Sequence, residues 1–247
     1  MNTVVQLLNK FDAPIYDERT NSGIFRTIMV RIGVKTGELQ VVFITRSKKF
    51  PQKNAMIREI NERLPEVVSI MQNVQAQKTS LVMGDETIHL WGKEAIEEQI
   101  NEVTFDLSPR AFFQLNPQQT ELLYGEGIKA LDVQPNETIV DAYCGVGTIG
   151  LSVAKQAKEV RGMDTVPQAI ADAKKNAERL GYHNTRYEVG TAEQVLPKWL
   201  NEGFQPDGII VDPPRTGLDN ALIQSLLKYP PKKLVYISCN VSTLARD

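Results

Sequence analysis

Cysteine is scarce in this chain: Cys144 and Cys239 stand alone, with no C-x-x-C pair anywhere. A disulfide framework and a cysteine-built zinc or iron–sulfur centre are therefore not expected, and the setting that suits two free thiols is the reducing cytoplasm. Long apolar runs are missing, and the amino terminus lacks the basic segment and apolar core of a signal peptide, so neither a membrane anchor nor a leader is expected. A charge excess is missing too. The 28 Lys and Arg against 30 Asp and Glu give a formal net charge of −2, which offers no global attraction to nucleic acid, so a polyanion would have to be met by a local patch. Internal repeats and low-complexity tracts are absent as well. What is present is a 247-residue chain with 42% hydrophobic residues, enough for one large or two moderate globular domains.

The patterning changes near residue 105. Before it, residues 2–11 read as an amphipathic helix. Residues 24–32 and 39–45 read as an antiparallel hairpin, residues 51–63 as a helix opened by Pro51, and residues 67–74 and 87–91 as strands. This predicts a small α+β domain over 1–104. Between positions 26 and 59 its charge is uneven: Arg26, Arg31, Lys35, Arg46, Lys48, Lys49, Lys53 and Arg58 face only Glu38 and Glu59. Such a surface can contact phosphates, although an ordinary solvated face reads the same way.

From residue 105 onward strands and helices alternate. After a strand at 105–108 and a helix at 117–131, strands at 138–143, 160–163, 185–189, 208–211 and 233–238 are separated by helical runs. Repeated βα units predict an α/β, Rossmann-like, doubly wound parallel sheet over 105–247, with ligands outside the carboxyl ends of the strands.

The first of those strand ends carries Asp141-Ala142-Tyr143-Cys144-Gly145-Val146-Gly147-Thr148-Ile149-Gly150. Gly145 and Gly147 allow a tight turn and a close ligand, and the following helix offers unpaired N–H groups. The glycines alone fit the G-x-G-x-x-G of a nicotinamide-dependent oxidoreductase equally well. Asp141 shifts the balance, because a carboxylate repels a pyrophosphate and holds the ammonium of a methionine moiety; this favours S-adenosyl-L-methionine. Asp164, at the end of the next strand, is placed to accept hydrogen bonds from ribose hydroxyls, which either ligand would use.

Two later strand ends add chemistry. Asp212-Pro213-Pro214-Arg215 is a stiff loop, since the prolines fix the backbone and remove two donors. It suits a platform for a flat base, with Asp212 and Arg215 as substrate contacts. Ser238-Cys239-Asn240 precedes a helical run, where the positive end of the helix dipole favours a nucleophilic thiolate. On its own, a cysteine there is more often a small buried residue. Cys144, inside the glycine turn, reads as space-filling.

Four stretches in order, Ser108–Asn116, Asp141–Thr148, Val211–Leu218 and Ser238–Asp247, resemble the bacterial RNA 5-methyluridine methyltransferases, most closely their ribosomal-RNA members from Gram-positive bacteria. Gln72-Asn73 and Leu90-Trp91-Gly92 extend the likeness into the first domain more loosely. The resemblance implies methylation of uridine carbon 5 through a covalent adduct of Cys239 with carbon 6. It also implies a cofactor site built from Gln114, Tyr143, Asp164 and Asp212, in addition to Asp141, Gly145 and Gly147. The expected cofactor is S-adenosyl-L-methionine and the expected partner is RNA, specifically 23S rRNA, bound by a monomer without metal or membrane.

The family's general base, a glutamate beyond the cysteine motif, and the barrel and cluster cysteines of many relatives have no counterpart here. The chain is thus expected to be truncated at both ends, binding cofactor but releasing little product. The competing classes are an NAD(P)-dependent oxidoreductase, which leaves Asp212 and Cys239 without a role, and a non-catalytic RNA-binding module.

Overall fold

The computed structural model describes residues 1–247 and divides into two compact units. One holds Met1–Gln99 with Asp106–Arg110, the other Ile100–Phe105 with Ala111–Asp247. The expected boundary at 104/105 therefore falls inside a shared hairpin instead of a linker.

In the first unit, helix α1 (Asn2–Lys10) precedes strands β1 (Phe25–Ile32) and β2 (Leu39–Thr45), helix α2 (Lys53–Arg63), and strands β3 (Val67–Val74) and β4 (Glu86–Gly92). The sheet order is β1-β2-β3-β4, antiparallel at both edges and parallel between β2 and β3, a pairing that requires the α2 crossover. α2 begins two residues later than Pro51 suggests, because Gln52 takes a left-handed φ of 54° as its N-cap.

Val4 and Leu7 of α1 and Met56 and Ile60 of α2 cover one face of the sheet, against Phe43 and Ile70. The buried amides of the sheet are tied to neutral partners. Gln72 Nε2 donates to Thr45 Oγ1 at 2.8 Å, and Asn73 donates to Gly84 O, Glu86 O and Thr87 Oγ1 while its Oδ1 accepts the Gly84 N–H at 2.7 Å. These bonds hold the approach to the edge strand β4.

Strands β5 (Ile96–Ile100) and β6 (Val103–Leu107) form a separate hairpin. β5 escapes the sequence reading because Glu97, Glu98 and Gln99 are poor strand formers. The turn is made by Asn101 and Glu102, both left-handed at φ 48° and 68°.

The second unit continues α3 (Pro117–Leu131), β7 (Thr138–Ala142), α4 (Thr148–Ala154), β8 (Glu159–Asp164), α5 (Pro167–Arg179), β9 (Thr185–Val189), α6 (Ala192–Asn201), β10 (Gly208–Val211), α7 (Asn220–Lys228), β11 (Lys233–Tyr236) and α8 (Val241–Arg246). Its five strands are ordered β11-β10-β7-β8-β9 and every pairing is parallel, as the βα rhythm predicts. Val140, Ala142, Ile209 and Val211 bury one face under Val195, Leu196 and Trp199 of α6 and Leu222 and Leu226 of α7. On the other face, Gly127 of α3 and Gly150 of α4 sit close to strand side chains, so the helices pack down on β10 and β7. The chain winds outward in both directions from β7 and β10, and the crevice between such strands at their carboxyl ends is the ligand position of this architecture. No helix is long and apolar enough to cross a membrane.

Candidate cofactor and catalytic site

The turn after β7 is left-handed three times, at Tyr143 (φ 66°), Gly145 (φ 54°) and Gly147 (φ 86°), which reverses the chain into α4 within a few residues. A Cβ on Gly145 would meet nothing within 4 Å, whereas one on Gly150 would stand 3.0 Å from Asp141 Oδ2. Gly145 thus leaves open space above the turn and Gly150 allows helix–strand contact below it.

Gly147 caps α4 without a side chain. Asp141 supplies the missing acceptor: its Oδ2 takes the Gly150 N–H at 2.7 Å, satisfying one of the first-turn amides. This carboxylate is only 1% exposed. Burial pushes its pKa up to about 7, the Gly150 hydrogen bond opposes that rise, and the charges of Asp212 and Asp164 add to it.

Asp164 closes β8 and is held by backbone at both oxygens: Oδ2 accepts the Gly145 N–H at 3.0 Å and Oδ1 accepts the Val166 N–H at 2.9 Å. It borders a cavity of about 470 Å³ together with Tyr143, Thr165, Thr191 and Glu193, closed on the far side by Gly217–Asn220. Burial raises the Tyr143 phenol to about 12, helped by the nearby acids Glu193, Asp219 and Asp247.

On the other face of β7, Gln114 Nε2 donates to Tyr124 OH at 3.2 Å, and Tyr124 OH donates to Asp212 Oδ2 at 2.9 Å. This relay fixes the carboxylate that follows β10. Burial holds Asp212 above the usual carboxylate range, and the Tyr124 hydrogen bond works in the opposite direction. Tyr124 itself is pushed up by burial first and by the Asp212 charge second.

Cys239 is exposed, one residue before Asn240, the N-cap of α8. Asn240 accepts the Ser242 N–H at 3.1 Å through Oδ1 and donates from Nδ2 to Arg215 O at 3.1 Å, tying the cysteine loop to the proline loop. The Arg215 side chain is exposed. Asp247 completes the tie: its Oδ2 accepts the Leu218 N–H at 2.7 Å and the Tyr236 hydroxyl at 2.8 Å, and Arg246 bonds Thr216 O at 2.9 Å. Cys144 is buried beneath the glycine turn, with its thiol raised by burial; a Cβ on Gly162 would stand 2.9 Å from its sulfur, so it fills space there.

The expected residues therefore fall into three groups. Tyr143 and Asp164 line the cavity. Gln114, Asp212 and Asp141 belong to the β7–β10 crevice, and Cys239 and Arg215 stand on the two tied loops. Sequence reasoning passed over Tyr124, Thr191, Glu193, Asn240 and Asp247. Of these only Tyr124 carries a local signal, a polar-tipped residue on the buried stripe Thr120–Tyr124–Gly127–Leu131 of α3.

Chemically, the notable property is charge. Asp141 in β7, Asp164 at the end of β8 and Asp212 just after β10 stand on three adjacent strands, the charges of Asp212 and Asp164 add to the raised proton affinity of Asp141, and none of the three has a Lys or Arg partner. A cationic ligand fits such a crevice; a pyrophosphate would meet repulsion from the acids, and Arg246, which also lines the cavity, is already engaged by Asp247 and Thr216 O.

A sequence model of the tRNA (uracil-5-)-methyltransferase family matches residues 36–247. The chain belongs to this family. An Enterococcus faecalis protein described as an uncharacterized RNA methyltransferase is 76% identical over the whole chain, and one from Listeria monocytogenes serotype 4b is 64% identical; the chain covers 54% of each. The chain thus spans about half the length of these relatives. Among solved structures, the Pyrococcus abyssi tRNA (uracil-54, C5)-methyltransferase in complex with S-adenosyl-L-homocysteine matches all of this chain and 58% of its own, at 30% identity and a TM-score of 0.83. The family assignment accounts for the parallel sheet and the glycine turn in one scheme.

Proposed function

We propose that this chain carries the cofactor site and nucleophile of an S-adenosyl-L-methionine-dependent RNA uracil carbon-5 methyltransferase. The observation that supports this most directly is the set of strand-end acids Asp141, Asp164 and Asp212, none paired with a cation, on the same strand-end edge as Cys239. The archaeal relative of known structure binds S-adenosyl-L-homocysteine, which is the same chemistry.

The residues fit the group by charge and by shape. The 470 Å³ cavity beside Asp164 has room for an adenosine, with the carboxylate facing ribose hydroxyls, and Asp141 and Asp212 would hold the ammonium end. When bound, the cofactor supplies a methyl on a cationic sulfur. Uracil carbon 5 is too weak a nucleophile to take that methyl unaided. The Cys239 thiolate adds to carbon 6, the C5=C6 π pair moves toward carbon 5 and the O4 enolate, and carbon 5 becomes the nucleophile. Asp212, oriented by Tyr124, would accept the N3–H of the uracil, and Arg215 would meet the backbone of an extruded nucleotide. After methyl transfer a base removes the carbon-5 proton, and expulsion of the thiolate restores the double bond; no residue of this chain is assigned that last proton.

The proposed target is a uridine of 23S rRNA, the class that the four sequence stretches resemble. Mass mapping of 5-methyluridine in rRNA and tRNA from cells lacking the full-length protein tests this choice. Loss from tRNA alone would overturn it. The cofactor and nucleophile are tested by calorimetric titration with S-adenosyl-L-homocysteine, with Asp141→Ala and Asp164→Ala variants, followed by capture of Cys239 on 5-fluorouridine RNA. Saturable binding weakened by both changes, and a covalent adduct at Cys239, are the expected results; neither appearing would refute the assignment.

A further inference from the structure

Most of the basic side chains of the first unit are used by the fold itself. Arg26 donates to Gln75 O and Gln77 O, Arg31 to Ser108 O and Arg46 to Asn21 O, while Lys48 pairs with Glu86. Lys49, Lys53 and Arg58 have no such partner. Two of these, Lys53 and Arg58, lie on α2.

Arg58 also lines a groove of about 490 Å³. One wall is a single face of α2, from Asn54 and Ile57 through Arg58 to Asn61 and Glu62, at the i, i+3, i+4 spacing of helical neighbours. The other wall is Leu90 and Trp91 of the edge strand β4. Successive residues of a regular strand point to opposite faces, so these two should not share a wall. They do because the ladder slips: Ile70 pairs with Trp91 and Met71 with His89, leaving Leu90 as the extra residue of a bulge. Leu90 packs onto the core and Trp91 is left 38% exposed. The bulge thus turns an indole toward a helix face that carries an uncompensated guanidinium and two amides. Asn54 is exposed on this face, whereas Asn61 Oδ1 is buried and finds no donor within the protein.

We propose that this groove binds single-stranded RNA, with one unpaired base stacked on Trp91 and the adjoining phosphates on Arg58 and Lys53. The inference rests on the RNA-directed reading above. Stacking on an exposed aromatic beside free cations is how sequence-tolerant single-strand sites are built, and amides nearby can meet a base edge. Glu62 repels phosphate at one end of the groove, so the strand runs toward the amino-terminal end of α2, where Lys53 stands.

The other tryptophan, Trp199, is buried, so the difference in intrinsic fluorescence between the wild type and Trp91→Ala isolates Trp91. A single-stranded oligouridylate of about ten nucleotides should quench it saturably, while an RNA duplex should not. Trp91→Ala should weaken oligouridylate affinity roughly ten- to a hundredfold and Trp91→Phe far less. Arg58→Ala and Lys53→Ala should each lower the slope of log affinity against log salt by about 0.7. Thermal unfolding of each variant checks that the fold survives. Absence of quenching, or unchanged affinity in a folded Trp91→Ala protein, would overturn the proposal. Titration of the same samples with S-adenosyl-L-homocysteine separates the two readings. Quenching without cofactor binding keeps the groove and removes the methyltransferase reading, and cofactor binding without quenching does the reverse.

Discussion

The amide cluster of the first unit and the strand-end acids of the second bury polarity in opposite ways. In the first, the amides of Gln72, Asn73 and Gln75 are neutral and meet neutral partners: Asn73 alone makes four hydrogen bonds that pin residues 84–87 to β3, and Gln75 Nε2 reaches Leu81 O and Met83 O. In the second, Asp141 and Asp212 are carboxylates raised by burial, each with a neutral hydrogen-bond donor and no cation. Closed neutral networks stabilise a fold and leave little for a ligand. Open charged ones oppose folding and reward a ligand of the other sign. A polar residue's burial thus says less about function than whether its charge is answered.

The sharpest test concerns the two cysteines of the second unit. Cys239→Ser should abolish the 5-fluorouridine adduct and reduce methylation by the full-length protein by roughly four orders of magnitude. Cys144→Ser, beneath the turn, should leave the adduct intact and only lower stability. Adduct formation that follows Cys144 instead would reverse the assignment.

Asp141 comes next. Its folded pKa of about 7 lies above the unfolded carboxylate value. Between those values the folded state holds the proton more firmly, so its contribution to stability falls as pH rises from about 4 to 7 and stays lost above. Asp141→Asn keeps the acceptor for Gly150 and removes the ionisation penalty. It should raise unfolding free energy at pH 8 by roughly 2–4 kcal/mol, with no gain at pH 4, while weakening S-adenosyl-L-homocysteine binding. A variant less stable at pH 8 would show that the carboxylate's charge is not a burden. Asp207 is lowered, chiefly by Lys232, so its own contribution runs the other way, present at neutral pH and lost as pH falls; the wild-type minus Asp141→Asn difference removes it.

Asn73→Ala is the counterpart in the first unit. Leaving Gly84 and its neighbours without partners should cost about 2–3 kcal/mol by denaturant unfolding and leave cofactor affinity unchanged. Loss of cofactor binding in a folded variant would break the distinction between the units. The smallest effect is expected for Tyr124→Phe, which cuts the relay to Asp212: about 1 kcal/mol, read as a several-fold weaker S-adenosyl-L-homocysteine titration. No change would mean that Asp212 is positioned by Pro213 and Pro214 alone.

Much of the second unit was legible. Helix 117–131 and strands 185–189 and 208–211 lie where periodicity and proline placement predict. The strand expected to run to Tyr143 stops at Ala142, and the strand expected to Ser238 stops at Tyr236; ends depend on side-chain context more than interiors do. Strand β5 was hidden by its acidic centre, where Glu98 is buried and accepts the Val34 N–H at 2.6 Å and the Lys35 N–H at 3.2 Å. Sequence did not show which cations of the first unit the fold itself uses: Arg26, Arg31 and Arg46 serve backbone carbonyls far along the chain.

What the sequence alone determined was everything carried by local, repeated signals: the βα rhythm, the parallel sheet, the glycine turn and the arrival of acids and a cysteine at strand ends. These depend on backbone hydrogen bonding and on hydrophobic period, which many residues specify together. The tertiary structure decided what single side chains do. Asp141 meets Gly150 across the turn, Tyr124 joins Gln114 to an aspartate 88 positions away, and a slipped pair on β4 turns Trp91 outward. Each of these is a choice among partners that become neighbours only when strands are in register, so no local pattern can encode it.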